Sequence, residues 1–109
     1  MQSYVLVDTR DPFESGNGRD RYELAKALAD GGDEVSVFLA ENAVLATRRR
    51  SAAASDLEAM ASRSRVLVDA FALRERAILG DEMVAGDETV EIDALVDELM
   101  TEGRKALWL

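Results

Sequence analysis

The sequence predicts an α/β domain in which a mainly parallel sheet of about five strands lies between two layers of helices. Short apolar runs alternate along the chain with segments whose apolar residues recur at helical spacing. Such alternation favours parallel strands joined by crossover helices. The first run is unbroken, which is typical of a strand covered on both faces. Because 109 residues suffice for one core, we predict a single three-layer α/β/α domain over residues 1–109.

The first part of the chain predicts two strands with a helix between them. The first strand covers residues 5–7 and ends before the turn that contains Pro12. A helix is predicted from about residue 20 to residue 30, where the pair Gly31-Gly32 ends it. The second strand covers residues 35–39. The buried stripe of the helix is predicted to be Leu24, Ala25, Leu28 and Ala29.

The middle of the chain predicts three helical segments and a strand. The first helical segment is interrupted at residues 48–50, and the capping-box pattern from Ser55 to Glu58 predicts that a new helix begins at Ser55. The third strand covers residues 66–68, and the short helix after it is predicted to end at Gly80. The inner face of the second helical segment is predicted to be Leu57, Met60 and Ala61.

The last part of the chain predicts an edge strand at residues 89–92, a helix, and a final strand at residues 105–109. The helix has the clearest pattern in the sequence and ends at Gly103. Trp108 in the final strand is predicted to lie in the core or at an interface. The apolar residues at helical spacing are Ile92, Leu95, Val96, Leu99 and Met100.

The composition excludes several kinds of chemistry. The chain has no cysteine and no histidine, so disulfides, thiol catalysis and the commonest zinc ligands are absent, and we expect no metal and no cofactor. The net charge is −9, and residues 81–102 carry nine acids and no base. Such a surface repels phosphate backbones, which predicts no nucleic-acid partner. With no apolar run near ~20 residues and no signal-peptide pattern, we predict a cytoplasmic protein without membrane contact.

The candidate site lies at the carboxyl ends of the predicted strands, where ligands bind open parallel sheets. Asp69 follows the third strand, so it is predicted to cap the next helix or to contact a ligand or another subunit. Arg76 is close enough along the chain to pair with Asp69 or with an anionic ligand. The candidate ligand-binding residues are Asp8, Thr9, Arg10, Asn42, Asp69 and Arg76.

Two other motifs have a structural and a functional interpretation. Gly16-Asn17-Gly18 precedes a helix, as phosphate-binding loops do, but it lacks their full glycine pattern and their lysine, so a mobile loop is the favoured interpretation. The three arginines at 48–50 form the basic cluster of the sequence. They are predicted either to be solvated or to meet the acidic region 81–102 of a neighbouring subunit.

Three passages together resemble the DsrE/DsrF-like family of small sulfur-relay α/β proteins. Residues 7–14 resemble the acidic, proline-containing turn of some members, and residues 35–45 resemble a valine-phenylalanine strand that leads into an asparagine. Residues 73–78 resemble the leucine-x-x-arginine-glycine-isoleucine signature. The resemblance spans nearly the whole chain and implies the three-layer fold, together with trimeric or hexameric assembly, alone or with related subunits.

The resemblance also indicates what this chain lacks. The persulfide-carrying cysteine of the family corresponds to Asp69, seven residues before Arg76, and the signature glycine corresponds to Ala77. A carboxylate cannot form a persulfide, so sulfur transfer is not carried over. The resulting prediction is a non-catalytic assembly or small-ligand-binding subunit.

Two other classes of function remain open from the residues. A receiver-like phospho-acceptor domain would use Asp8, Asp11 and Asp69, but Lys105 opens the final strand rather than closing it, which places the lysine at the wrong edge. A carboxylate-based enzyme would use Asp8 and Asp69 as acid and base. No further catalytic pattern in the sequence supports either alternative.

Overall fold

The computed structural model describes residues 1–13, 18–78, 80–84 and 86–109. Five strands form one sheet in the order β4-β3-β2-β1-β5, and every neighbouring pair is parallel. The predicted three-layer α/β/α class is confirmed. The strands are β1 (Ser3–Asp8), β2 (Glu34–Leu39), β3 (Arg65–Asp69), β4 (Asp87–Val90) and β5 (Arg104–Trp108).

The helical segments divide unequally between the two faces of the sheet. One face packs against α1, α2, α3 and the longer 3-10 helix, while α4 covers the other among the described helices. The predicted interruption at residues 48–50 is confirmed, because the longer 3-10 helix ends just before it. The helices are α1 (Gly18–Asp30), α2 (Ala54–Ala61), α3 (Ala70–Glu75) and α4 (Ile92–Met100), with 3-10 helices at Glu41–Thr47 and Gly80–Glu82.

The alternation of side chains along the strands separates two cores. In β1, Leu6 belongs to the larger core on the α1 side, whereas Val5 and Val7 belong to the smaller core on the α4 side. Phe38 of β2, Leu67 of β3 and Leu95 of α4 complete that smaller core, and all three are buried. The period-2 alternation of strand residues explains this division, since neighbours along a strand face opposite sides.

The start of α2 and the buried stripe of α1 differ from the prediction. The helix α2 begins at Ala54, and Ala53 occupies its N-cap position without a side-chain hydrogen bond, so the predicted capping box that begins at Ser55 is wrong. Alanine is the best helix former, which allows the helix to begin before the serine. In α1, Leu24 is exposed, and Arg21 and Tyr22 are buried in place of it. In α2, the predicted burial of Leu57 and Met60 is confirmed.

Two further boundaries are corrected. The fourth strand covers Asp87–Val90 rather than 89–92, because Ile92 already begins α4. The final strand begins at Arg104, one residue earlier than predicted. The predicted loop at Gly16-Asn17 lies outside the described residues, although Gly18 begins α1.

The helix after the third strand ends at Glu75, not at Gly80. The amide of Ile78 donates to the carbonyl of Leu73 at 3.0 Å, and the amide of Ala77 donates to Arg74 at 3.2 Å. This pair of bonds is a Schellman motif, which places the residue after the cap in the left-handed region. Ala77 has φ of +52°, so an alanine occupies a position that favours glycine.

Replacing Ala77 with glycine is expected to raise the free energy of unfolding by about 0.5–1 kcal/mol, because glycine adopts positive φ without a Cβ clash. Chemical denaturation followed by circular dichroism measures the change. Ala59→Gly, inside α2, is the matched control and should lower stability by up to about 1 kcal/mol. Equal destabilisation by both substitutions would contradict the strain at Ala77.

Candidate functional site

The carboxyl ends of β1, β2 and β3 lie at one edge of the sheet. Asp8 pairs in register with Leu39, and Leu39 pairs with Val68, so Asp8, the residues after Leu39 and Asp69 share this edge. The sequence prediction that these segments converge is therefore confirmed for the backbone. Their side chains, however, form separate groups rather than one cluster.

The first group is a buried ion pair between Asp8 and Arg21. Nε of Arg21 donates to Oδ2 of Asp8 at 2.9 Å, and the side chains of Arg21 and Asp8 are 8% and 2% exposed. The other carboxylate oxygen, Oδ1, accepts the backbone N–H of Arg10 at 3.0 Å. Both oxygens of Asp8 are thus used within the chain. The burial of Tyr22 in the same turn of α1 raises the pKa of its hydroxyl, and the charge of Asp8 raises it further.

Arg21 is a site residue that was not predicted from the sequence. A signal was present, because Arg21 stands four residues before Ala25 and seven before Leu28, on the same helical stripe. A charged residue on an apolar stripe needs a partner when it is buried. Asp8, at the end of the strand that α1 covers, supplies that partner.

The second group is the cap of α3. Oδ1 of Asp69 accepts the backbone N–H of Phe71 at 3.1 Å, which confirms the predicted N-cap. Strand alternation places Asp8 with Leu6 and Asp69 with Leu67, on opposite faces of the sheet. The strand between them separates their backbones by roughly 10 Å. This arrangement does not form the acid–base pair that a carboxylate-based enzyme requires.

The third group joins Arg76 to Asn42. Nη2 of Arg76 donates to Oδ1 of Asn42 at 2.8 Å and Nε donates to the same oxygen at 3.3 Å. Arg76 therefore has a partner other than Asp69, which was one of the two alternatives predicted for it, because the end of α3 turns Arg76 toward the 3-10 helix. Glu41, beside Asn42, has φ of +50°, a strained value for a residue other than glycine. Thr9 is partly buried between Asp8 and the exposed Arg10.

The three arginines at 48–50 meet acidic residues of their own chain. They line a cavity of about 400 Å³ together with Asp81 and Glu82. The amide of Arg49 donates to the carbonyl of Glu82 at 2.7 Å, and its Nε donates to the carbonyl of Met83 at 3.2 Å. The cluster therefore meets the first residues of the region 81–102 in its own chain, and the predicted contact with a neighbouring subunit stays a prediction.

The structure gives the receiver-like alternative little support. Lys105 pairs in register with Tyr4, so it lies near the amino end of the sheet, away from Asp8 and Asp69. Within the described ranges, no three acidic side chains form a group that could hold a metal ion. The acidic cluster and the lysine that such domains place at one edge are not brought together here.

Asp87, at the start of β4, is a partly buried acid. Neither of its carboxylate oxygens has a hydrogen-bond partner among the described residues. Burial, together with the smaller effect of the neighbouring Glu58 charge, raises the pKa of Asp87 from its ordinary value of 3.8 to about 7. The carboxyl therefore changes its charge near neutral pH.

An exposed apolar surface covers α4 and the adjoining side of β5. Trp108 pairs in register with Val7, whose side chain packs with Leu95 of α4, so the indole lies on the α4 side of the sheet. It is 66% exposed, which excludes the predicted core position. Of the apolar residues predicted for α4, Leu95 alone is buried. The exposed residues, Ile92, Val96, Leu99, Met100 and Trp108, define the α4–β5 face.

A network of charges holds α4 against the sheet. Oε1 of Glu98 accepts from Nη1 of Arg65 at 3.0 Å, and its other oxygen pairs with Arg104. Arg104 also donates to Glu34 at 3.1 Å, and Arg65 donates to Glu88 at 2.9 Å. Because Glu98 and Leu95 point inward, the α4–β5 face is turned outward.

The fold and the site define a three-layer α/β/α protein in which an aspartate, and not a thiol, follows the third strand and caps the next helix. No protein-family profile matches the chain, and no curated protein does. The ychN protein of E. coli matches with a TM-score of 0.90 at 21% identity, over 100% of both chains. MTH1491 of Methanobacterium thermoautotrophicum, described as a protein of unknown function, matches with a TM-score of 0.81 at 17% identity, over 99% of this chain and 98% of its own. These likenesses show the fold.

None of the described helices is both long and apolar enough to cross a bilayer.

Proposed function

We propose that this protein is a non-catalytic cytoplasmic subunit of a DsrE/DsrF-like assembly, formed with copies of itself or with related subunits. The observation that carries the proposal is the exposed apolar α4–β5 face. Soluble proteins seldom expose contiguous apolar patches, and larger ones mark interaction sites. Tryptophan and methionine, both present on this face, are enriched at protein interfaces.

The unequal covering of the sheet supports an assembly role. A single helix of nine residues covers the second face of a five-stranded sheet in the described part of the chain, and β5 remains mostly exposed at its edge. A neighbouring subunit placed on the α4–β5 face would complete this layer. In a ring, each subunit presents this face to a different surface of the next one.

The charges indicate which surface of the next subunit is complementary. Asp93 and Asp97 flank the apolar residues of α4, so two copies of this face would repel each other. The arginines at 48–50 are exposed on the opposite layer, and they outnumber the two acids, Asp81 and Glu82, that line the same cavity. A head-to-tail contact between the arginines and α4 therefore suits a trimeric or hexameric ring.

The chemistry of the edge supports a subunit without catalysis. Asp69 caps α3 at the position where the sulfur-carrying members of the family have a cysteine, and the carboxylate cannot take up sulfur. Asp8 is fully used by Arg21 and by the Arg10 amide. The described residues at the edge thus leave no nucleophile paired with a base.

Native mass spectrometry of the wild type and of Val96→Asp tests the assembly. We expect a trimer or hexamer for the wild type, either alone or with related subunits when it is isolated from its host. Val96→Asp should give monomers, because a buried unpaired charge opposes association. Ser55→Asp, which adds the same charge on an exposed position of α2, should leave the assembly intact.

A wild-type protein that is monomeric both when purified alone and when isolated from its host would refute the proposal. An assembly that survives Val96→Asp would place the contact on another surface, which would refute the role of the α4–β5 face.

A further inference from the structure

The outer edge of β5 is open in the described part of the chain. β5 forms one side of the sheet, and β1 is its neighbour among the described strands. The amide of Leu109 donates to the carbonyl of Val7 in β1 at 2.9 Å. Because the backbone groups of successive strand residues point in opposite directions, those of Ala106 and Trp108 point away from β1. Both residues are exposed, and no described strand lies beyond them.

The two edges of the sheet differ in charge. Half of the residues of the opposite edge strand, β4, are acidic, namely Asp87 and Glu88, and such charges keep edge strands from pairing with their own copies. In β5, Arg104 is paired with acids of its own chain, so Lys105 is the charge of this strand that has no partner in the described chain. Residues 106–108 are uncharged. The edge of β5 therefore lacks the protection that β4 has.

One antiparallel register fits two copies of β5. Centred on Ala106, it places Ala106 opposite its own copy, Lys105 opposite Leu107 and Arg104 opposite Trp108. Ala106 then exchanges two hydrogen bonds with its copy, and each Trp108 amide donates to the Arg104 carbonyl across the axis. A shift of one residue sets outward groups against inward ones. A shift of two residues places Lys105 opposite itself or leaves Arg104 with no residue opposite.

The side chains suit the same register. Trp108 and Arg104 both lie on the α4 side of the sheet, and a guanidinium beside an indole is a favourable pair. Lys105 meets the apolar Leu107 instead of a second lysine. The small side chain of Ala106 allows the two strands to approach closely at the axis. The charges of β5 are thus complementary to a second copy of β5.

The acids of α4 do not oppose this contact. The helix packs on Phe38 of β2 and Leu67 of β3, toward the middle of the sheet. With neighbouring strands about 4.8 Å apart, the two α4 helices would lie roughly 20 Å from each other across the axis. Repulsion between exposed Asp93 and Asp97 and their copies is largely screened at that distance.

We propose that β5 joins two copies of this chain across a two-fold axis at Ala106, so that their sheets continue into each other. The proposal rests on the ring proposed above, because one pair of five-residue edges is much smaller than a standard interface. Three such pairs between two trimeric rings act together. The resulting assembly is a hexamer of two trimers, in which α4 forms the ring contact and the backbone of β5 joins the rings.

Native mass spectrometry of charge variants at the axis tests this pairing. We expect hexamers for the wild type and trimers for both Ala106→Glu and Ala106→Lys, because each variant places like charges opposite each other. A mixture of the two variants should again give hexamers, with equal numbers of both chains, because unlike charges then meet. Thr89→Glu, which adds a charge at an exposed position of β4, is the control and should stay hexameric.

The outcomes separate the two contacts. Wild-type trimers, or hexamers that persist in Ala106→Glu, would overturn the pairing through β5 and leave the ring in place. Wild-type monomers would overturn both proposals.

Cross-linking tests the register itself. Because the chain has no cysteine, Ala106→Cys introduces a single thiol, and the register places its Cα roughly 5.5 Å from that of its copy, within the range of a disulfide. Leu107→Cys is the control, since its two copies would be about 8 Å apart, beyond that range. After mild oxidation with oxidised glutathione, we expect covalent dimers of Ala106→Cys alone on a non-reducing gel. Equal cross-linking of the two variants would overturn the proposed pairing.

Discussion

Replacing Asp8 with asparagine is expected to lower the free energy of unfolding by about 3–5 kcal/mol, because it leaves the Arg21 guanidinium buried without its counter-charge. Asp8 is 2% exposed and Arg21 is 8% exposed, so water cannot substitute for the lost carboxylate. Asparagine has nearly the same shape and can still accept one hydrogen bond. The loss therefore reports the charge of Asp8 rather than its packing.

Urea denaturation of the wild type and of Asp8→Asn, followed by circular dichroism, measures the difference. Asp69→Asn is the matched control, since Asp69 is as buried as Arg21 and lies at the same carboxyl edge of the sheet as Asp8. Its role is an N-cap, which asparagine fills as well as aspartate does, so the change should stay within about 0.5 kcal/mol. A loss below about 1 kcal/mol in Asp8→Asn would show that the ion pair is not desolvated in solution.

The second large effect is a dependence of stability on pH that originates from Asp87. Its pKa of about 7 in the folded protein exceeds the ordinary value of 3.8, so the folded state holds the proton more tightly than the unfolded state. Below about pH 4 both states are protonated and Asp87 imposes no penalty. Stability is then lost as pH rises from about 4 to 7, and the penalty is complete above that range.

Asp87→Asn should remove this penalty. The pKa shift corresponds to at most about 4 kcal/mol, and because the carboxyl is only partly buried, solvent screening reduces the expected gain to about 2 kcal/mol at pH values above about 7. The variant and the wild type should be equally stable near pH 4. Denaturant midpoints across this range measure the difference.

Asp97→Asn, which removes an exposed acid, controls for the general effect of lowering the net charge of −9. If Asp87→Asn and Asp97→Asn give the same pH profile, the assignment to Asp87 is wrong.

Local patterns were sufficient to predict the order of the elements. The continuous run at residues 5–7 and the paired glycines at 31 and 32 located β1 and the end of α1, because both depend on residues next to each other. The end of α3 was missed, since an alanine at position 77 adopts a conformation that sequence reasoning reserves for glycine. The start of α2 was missed by one residue, because helix propensity there outweighed the capping pattern.

The candidate site was harder to predict because it depends on contacts across the sheet. The backbone edge that gathers Asp8 and Asp69 followed from topology alone. The partners did not, since Arg21 reaches Asp8 from a helix and Asn42 reaches Arg76 over 34 residues of chain. The exposure of Val96 and Leu99 was also beyond the sequence, because an apolar stripe looks the same against a core and against a partner.

The position of β5 beside β1 has a consequence for how the domain is made. Ser3 pairs with Arg104, so the outer edge of β1 stays unpaired until β5 has been synthesised. At about 5–20 residues per second on the ribosome, that edge stays open for roughly 5–20 seconds. Its free amides and carbonyls are then available to other nascent chains. Pairing between strands so far apart in sequence slows folding. During synthesis, we therefore expect chaperones to bind mainly at β1.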